Sequence, residues 1–510
     1  MKSTRVFAIQ ERSGAGRALI STKTLASQEL VLGEKPAFIS PHLSLFTSSP
    51  YKNICPSCYG IHNEDPRSVC ANCTDDERLQ QFFDLGLTPL QASICQAVVT
   101  LAELRKRRSK KVDTLMTRDV QDDELSIKIC QALVPICAQS NIKMVHIRDA
   151  LGVLATNGVK VQRSSQFLPC VALYSNFSMA NHSCLSNCNY MYDPDTFEIE
   201  LRTKTVVPKN RELTITYLHP MMTTQERREA TQTKWGFTCM CNRCCDATEL
   251  GTFAGSIWCQ LCGVGVMSAL SPRCPDSTWC CGSCRFEMPS SAVNQLLKAL
   301  AEGNISEQTN DVGDLKDTIF KLEETLWRSS QFLHWNHAMI LNLEYRLMHH
   351  LAALDKIPQR TQTQTNSAPN VDAKLPRPFW ERRLQIGLHL LEVVGQVDRG
   401  KTKWRGMVLQ DVVISTMELA KRDVQNGSIS KEVFKAKVNK SIQYTHEAVI
   451  CLNNERMSVP SLFNERMSFI KLENEEVHNT EEEQCFLCGK QNKTGSDDVP
   501  LQQCASCQKI

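Results

Sequence analysis
The chain has 510 residues, 42% hydrophobic and 22% charged, with a formal net charge of +3. That balance excludes a disordered or fibrous chain and a protein that holds nucleic acid mainly by bulk electrostatics, so no direct nucleic-acid contact is expected. No apolar run approaches the ~20 residues of a membrane span, and MKSTRVFAIQERSGAG places charge and glycine where a secretory leader needs apolar residues. The 25 cysteines are therefore expected to stay reduced, and thiolate–metal sites are expected in place of disulfides.

In chain order, short apolar runs at Arg5–Ile9, Ala18–Ile20, Leu30–Leu32 and Ala37–Ile39, separated by Gly- and Ser-bearing turns, predict strands. From Thr88 the period becomes helical, with Thr88 as cap, Pro89 at the first position and Leu90, Ile94, Val98 and Leu101 on one face. Helical spacing continues over Leu125–Cys137 and Ile142–Leu154, with an interruption expected near Pro135. Pro169–Tyr174, Phe197–Arg202 and Glu212–Tyr217 read as strands. Beyond Cys284 amphipathic helices are predicted at 313–327, 335–354, 380–397, 403–422 and 430–452, and 355–378 reads as a polar loop. The basic run from Arg105 to Lys111 reads as a solvated helix end in preference to a nuclear address.

The cysteines cluster. Three sets are paired CxxC knuckles: Cys55 and Cys58 with Cys70 and Cys73, Cys259 and Cys262 with Cys281 and Cys284, and Cys485 and Cys488 with Cys504 and Cys507. A CxxC turn brings two thiolates to one tetrahedral ion at about 2.3 Å, and the intervening loop closes the site. Cys239, Cys241 and Cys244 offer three more thiolates and need a distant fourth, for which Cys184 is the best candidate; Cys245 and Cys280 are second-rank alternatives. Cys95, Cys130, Cys137, Cys170 and Cys451 sit in apolar stretches and read as core.

Three further segments stand out: Gly14-Ala15-Gly16, Asn181-His182-Ser183-Cys184 continuing to Asn187-Cys188, and Glu212-Leu-Thr-Ile-Thr-Tyr217. Alone, each has an ordinary structural explanation: a tight turn, a hydrogen-bonded histidine, a packed strand-end tyrosine. Together with Trp235-Gly-Phe237 and the cysteines after it, in this order and spacing, they resemble the SET domain of protein lysine methyltransferases. The likeness is to the SET-and-MYND (SMYD-type) family, in an arthropod-type divergent branch. It covers most of residues 1–460, including Val397-Asp398-Arg-Gly and Trp404-Arg-Gly406-Met.

The resemblance implies an α+β chain: a SET-domain β-fold with inserted helices and zinc knuckles, then an all-helical TPR-like C-terminal domain. It implies N-terminal SET over 1–50, a MYND-like knuckle at 51–75 and a helical insert at 76–165. Catalytic SET would follow at 166–220, a post-SET zinc region with the second double knuckle at 221–288, the helical domain at 289–460 and a tail with a MYND-like half-finger at 461–510. Asn181 and His182 would hold S-adenosylmethionine, with the turn Gly14, Ala15 and Gly16 against its polar end and Phe237 on the adenine. Cys184 would join Cys239, Cys241 and Cys244 around zinc. Tyr217 would sit where methyl sulfonium meets amine, with Trp235 and Val159 lining the lysine channel. The implied activity is methylation of a histone or non-histone lysine by a monomer in cytoplasm or nucleus, with chromatin or co-repressor proteins as partners. The alternative is a catalytically weak zinc-binding adaptor.

The chain departs from the family at Ser186 (a proline there), Ala15 (a polar residue) and Val159 (an aromatic). Only the first half of a MYND finger is present at Cys55–Cys73, which favours a single zinc closed by four thiolates.

Overall fold
The computed structural model describes residues 5–12, 16–47, 55, 59, 77–163, 167–302, 312–354 and 375–453. It divides into two units. The first comprises residues 1–304, 327–342 and 395–400; the second comprises 305–326, 343–394 and 401–510.

The first unit is built from short antiparallel ladders whose turns the sequence marks. Strand β1 (Phe7–Arg12) pairs with β2 (Gly16–Ser21), Arg12 opposite Gly16. Gly16 enters β2 at φ +67°, a left-handed value that a side chain resists. Strand β3 (Leu30–Glu34) pairs with β8 (Ile199–Thr203), which also pairs with β7 (Cys188–Tyr192). Strand β6 (Cys170–Leu173) lies between β4 (Phe38–Pro41) and β5 (Val159–Val161).

Helices α1 (Glu77–Asp84), α2 (Pro89–Lys106), α3 (Glu124–Gln139) and α4 (Met144–Asn157) fill the interval before β5. Helix α2 starts at the predicted cap: Thr88 and Gln91 form a capping box, and Pro89 loses no bond at the first position. Leu90, Ile94, Val98 and Leu101 are all buried in the core shared with Leu133, Ile147, Leu151 and Leu173.

Two local expectations fail. Helix α3 runs through Pro135 without breaking, because Ile129, Leu133 and Ile136 keep its inner face buried and the loss of one backbone bond is outweighed. Residues 212–217 do not form a strand. They make one antiparallel bridge from Glu212 to Ile20 and one parallel bridge from Ile215 to His182. Between these, the Thr214 N–H is taken by the Asn187 side chain (2.9 Å). A side chain thus replaces a ladder partner and continuity is lost.

After this segment come α5 (Thr224–Trp235), the single turn α6 (Asn242–Cys245) and a four-stranded meander of β9 (Ile257–Trp258), β10 (Val266–Ala269), β11 (Trp279–Cys281) and β12 (Glu287–Met288). Helix α7 (Ser290–Glu302) follows; most of α8 (Val312–Ser330) and of α9 (Ala338–Leu354) falls in the second unit and not in this one. Within this unit Asp398 forms a buried ion pair with Lys204 (2.7 Å). Gly400, at φ +91°, lies where any Cβ would meet the Lys204 carbonyl.

The second unit is helical, with α10 (Arg377–Val397), α11 (Lys403–Gln425) and α12 (Lys431–Asn453). Close approach of α11 and α12 requires Gly406, since a Cβ there would fall 2.7 Å from Cys451 Cβ. Their packing buries Val413, Met417 and Val438, and Arg405 and Lys401 both reach Glu447. Among the described residues no helix is long and apolar enough to cross a membrane.

Candidate active site
The site begins with two parallel-running segments. The Ser183 N–H donates to the Ile215 carbonyl (2.9 Å), and the Ile215 N–H donates to the Asn181 carbonyl (3.0 Å). The Asn187 amide seals the pair: its Nδ2 donates to the Glu212 carbonyl (2.7 Å) while its Oδ1 accepts from Thr214. Asn181 Nδ2 donates to both the Arg17 carbonyl (3.1 Å) and Glu212 Oε1 (2.9 Å). One amide thereby ties the strand after the glycine turn to the tyrosine-bearing segment.

His182 uses both ring nitrogens. Its Nδ1 accepts from the Tyr217 N–H (3.0 Å), which leaves the ring proton on Nε2, 3.2 Å from Cys184 Sγ. Burial pushes its pKa down to about 4, so the ring is neutral at pH 7 and donates to the sulfur. Tyr217 is fixed at its other end, where its hydroxyl donates to the Ala180 carbonyl (2.8 Å). Burial, foremost, with the Glu212 charge, raises its pKa well above the usual phenol value, so it stays protonated. The rings form a chain: Phe237 to His182 at 6.0 Å, His182 to Tyr217 at 5.2 Å, Tyr217 to Trp235 at 5.0 Å. Trp235 ends α5, its Nε1 donating to the Thr156 carbonyl (3.2 Å). Gly236 then caps the helix at φ +73° and turns the chain toward Phe237.

Cys184, Cys239, Cys241 and Cys244 bring four sulfurs within 4.8 Å of one another, with Cys184 3.8 Å from Cys239 and 3.5 Å from Cys244. A tetrahedral tetrathiolate zinc with ~2.3 Å bonds needs sulfurs about 3.8 Å apart, so the set fits the ion. The second set, Cys259, Cys262, Cys281 and Cys284, fits equally: Cys259 lies 3.6 Å from Cys284 and Cys262 3.8 Å from Cys281. Backbone N–H groups of Val264 and Gly265 draw the Cys262 thiol down to about 6, toward the thiolate that binds metal. Cys245 is exposed and Cys280 half-buried, and neither belongs to a cluster.

Behind the first set lies a charged network that sequence reasoning missed. Glu249 Oε2 accepts from Arg227 (2.8 Å) and Arg243 (3.0 Å), and Arg227 also donates to Cys244 Sγ (3.5 Å). All three side chains are at most 3% exposed. The residues are 22 and 6 positions apart along an unremarkable polar stretch, and no local pattern signals their meeting. Glu212 and Asn187 were also missed as site residues, though the quoted motifs contain them.

Of the other candidates, Val159 pairs with Ala172 and packs half-buried against the core. Ser186 is buried, its hydroxyl without a hydrogen-bond partner among the described residues. Gly14, Ala15, Cys58, Cys70, Cys73, Cys485, Cys488, Cys504 and Cys507 lie outside the described residues, and Cys55 is buried alone of its set in view.

A SET domain model matches residues 16–218. The SET domain-containing protein SmydA-8, isoform A, of Drosophila melanogaster is 23% identical over 56% of this chain and 66% of its own length. The mouse histone-lysine N-methyltransferase SMYD3 is 38% identical over 14% of this chain and 17% of its own, and the Candida glabrata histone-lysine N-methyltransferase SET5 33% over 15% of each. The chain thus spans less than two thirds of each of these relatives. Among solved structures, one titled "Structure of Rubisco LSMT bound to AdoMet" aligns over 81% of this chain and 89% of its own at 12% identity, with a TM-score of 0.30.

Proposed function
We propose that this chain, which belongs to the SMYD-type SET-domain proteins, transfers a methyl group from S-adenosylmethionine to the side-chain amine of a lysine in a protein. The observation that carries the reading is the fixed Tyr217 hydroxyl, held to Ala180 and flanked by His182 and Trp235. The cofactor's residues fit. A Cβ at Gly16 would meet nothing within 4 Å, so Gly16 borders open space, and the Asn181 amide fixes the strand that Gly16 begins. When bound, S-adenosylmethionine supplies a methyl carbon already activated by its sulfonium.

The chain then has to orient and desolvate, and needs no nucleophile of its own. Because Asn181 and His182 spend their side chains, and Asn181 also its carbonyl, on internal partners, only the rest of their backbone would remain to face the cofactor. Phe237, carried beyond Gly236 on the segment that Cys239 anchors, would cover the adenine. Tyr217 stays protonated, so its oxygen orients the amine without taking a proton. Trp235 and the neighbouring rings would make the channel apolar, lowering the lysine's pKa toward the neutral amine that reacts. Their faces also tolerate the methylated ammonium formed. Zinc in the Cys184 set would be structural, cross-linking the 181–188 and 235–245 segments. The substrate would be a histone or another lysine-bearing protein, met by a monomer in nucleus or cytoplasm.

Radiolabelled methyl transfer to a protein array tests the reading. Label should enter lysine with the wild type, and Tyr217→Phe should cut the rate at least a hundredfold while cofactor binding and unfolding midpoint stay near normal. Unchanged turnover in that variant would remove Tyr217 from the mechanism. A wild type that neither binds the cofactor nor transfers label would point to the adaptor.

A further inference from the structure
Glu212 carries a charge that the internal bonding of the site does not use up. It opens the tyrosine-bearing segment, where a bridge to Ile20 sets it beside the strand that Gly16 begins. One carboxylate oxygen, Oε1, accepts from Asn181 Nδ2 (2.9 Å), the same amide nitrogen that donates to the Arg17 carbonyl. The other, Oε2, has no hydrogen-bond partner among the described residues, and no ion pair there reaches the group. The side chain is half-buried, so salt screens it less than a surface charge.

The cations of the neighbourhood are engaged elsewhere or lie in water. Arg17 turns its guanidinium onto the Thr114 carbonyl and stands opposite Glu11 in the β1–β2 ladder. Arg227 is held by Glu249. Arg211 and Lys234 are exposed, the latter over the Trp235 ring at 6.0 Å. His182 is neutral. The field of the Glu212 carboxylate reaches the Tyr217 phenol, where it adds to the effect of burial. Tyr217 is also where the methyl sulfonium would meet the amine. In the transfer the carbon–sulfur bond breaks with its electron pair kept on sulfur, which becomes a neutral thioether. The amine's lone pair forms the carbon–nitrogen bond, and the positive charge passes to nitrogen, whose proton then leaves to water. A half-buried negative charge within range of that sulfur therefore tells the two forms of the cofactor apart.

We propose that Glu212 is a selectivity residue, whose carboxylate favours the charged, methyl-bearing cofactor over its neutral product S-adenosylhomocysteine and so lets the spent cofactor leave. That role rests on the methyl-transfer reading, because it needs the cofactor's sulfur beside Tyr217. The bond to Asn181 alone would make Glu212 a brace, and a brace serves both forms equally.

Calorimetric titration of S-adenosylmethionine and of S-adenosylhomocysteine into the full zinc-loaded chain tests this, in the wild type, Glu212→Gln and Glu212→Asp. Glutamine keeps the shape and an oxygen for Asn181 and removes the charge. The ratio of S-adenosylmethionine affinity to S-adenosylhomocysteine affinity should fall about tenfold in that variant, through weaker binding of the charged compound. Aspartate keeps the charge, so Glu212→Asp should retain most of the wild-type ratio even where its shorter side chain weakens both compounds. An unchanged ratio in Glu212→Gln would overturn the proposal and leave Glu212 as a brace. A ratio lost in Glu212→Asp would overturn it too, which keeps the test open where the glutamine variant fails to fold. A wild type that binds neither compound would overturn the methyl-transfer reading and this role together, whereas binding of both at a charge-independent ratio would overturn the role alone.

Discussion

The two complete cysteine clusters offer the same four sulfurs in nearly the same geometry, yet they occupy different kinds of surroundings. In the first, Cys184 comes from a segment more than fifty residues before Cys239. Its sulfurs accept from the side chains of His182 and Arg227, and Cys184, Cys239 and Cys244 are buried. In the second, all ligands come from one meander, and the sulfurs of Cys262 and Cys281 accept backbone N–H groups from Gly265, Ser283 and Cys284 of their own knuckles. Cys284 is exposed. One cluster joins distant parts of the chain at the site; the other closes a small local sheet. Ligand chemistry is shared, and what the chain strings between the ligands decides the consequence of losing it.

The sharpest way to break this contrast is to remove one ligand from each. Cys184→Ser should release one zinc per chain, loosen the Phe237 segment and abolish cofactor binding, measured by metal content and calorimetry. Next in size is Glu249→Gln. It keeps the shape but leaves Arg227 and Arg243 buried without their carboxylate, a loss expected at about 3–5 kcal/mol. Chemical denaturation reads it out, and a change below about 1 kcal/mol would show that the network does not support the first cluster. Cys281→Ser should also release one zinc, but hydrogen exchange should rise mainly over 257–288, with Tyr217 and its neighbours still protected. Widespread loss of protection would erase the distinction between the clusters. The smallest effect is expected from Gly265→Ala. A Cβ there falls 2.3 Å from Cys281 Sγ, so the second cluster should yield its zinc to a chelator severalfold faster while the first does not.

Acid should separate folded from unfolded chains through His182 as well. Its pKa sits near 4 in the fold against an ordinary 6.5, so the unfolded state takes the proton first. Its contribution to stability is present above pH 6.5 and declines as pH falls toward 4.

Much of this was legible in the sequence for a physical reason: metal ligands and caps act over short spacings. The knuckle spacing located the second cluster, Thr88 and Pro89 located the start of α2, and Cys239-x-Cys241-x2-Cys244 announced that one ligand was missing. Roles that depend on meeting at a distance were not legible. Glu212 to Tyr217 has the composition of a strand, but Asn187 and the bridges to Ile20 and His182 divide its partners. Asn181 and His182 point their polar atoms at Arg17, Glu212, Tyr217 and Cys184, which spacing alone cannot show. Arg227, Arg243 and Glu249 look like surface charges until the fold places them together. The departures also acquired addresses: Ser186 stands buried where a proline would need no partner, and Val159 is half-buried in a ladder.

The most direct test of the account is calorimetric titration of S-adenosylmethionine into the wild type, Cys281→Ser and Cys184→Ser. One-to-one binding by the first two and none by the third is the predicted result. Absence of binding in the wild type, or equal binding by all three, would contradict it.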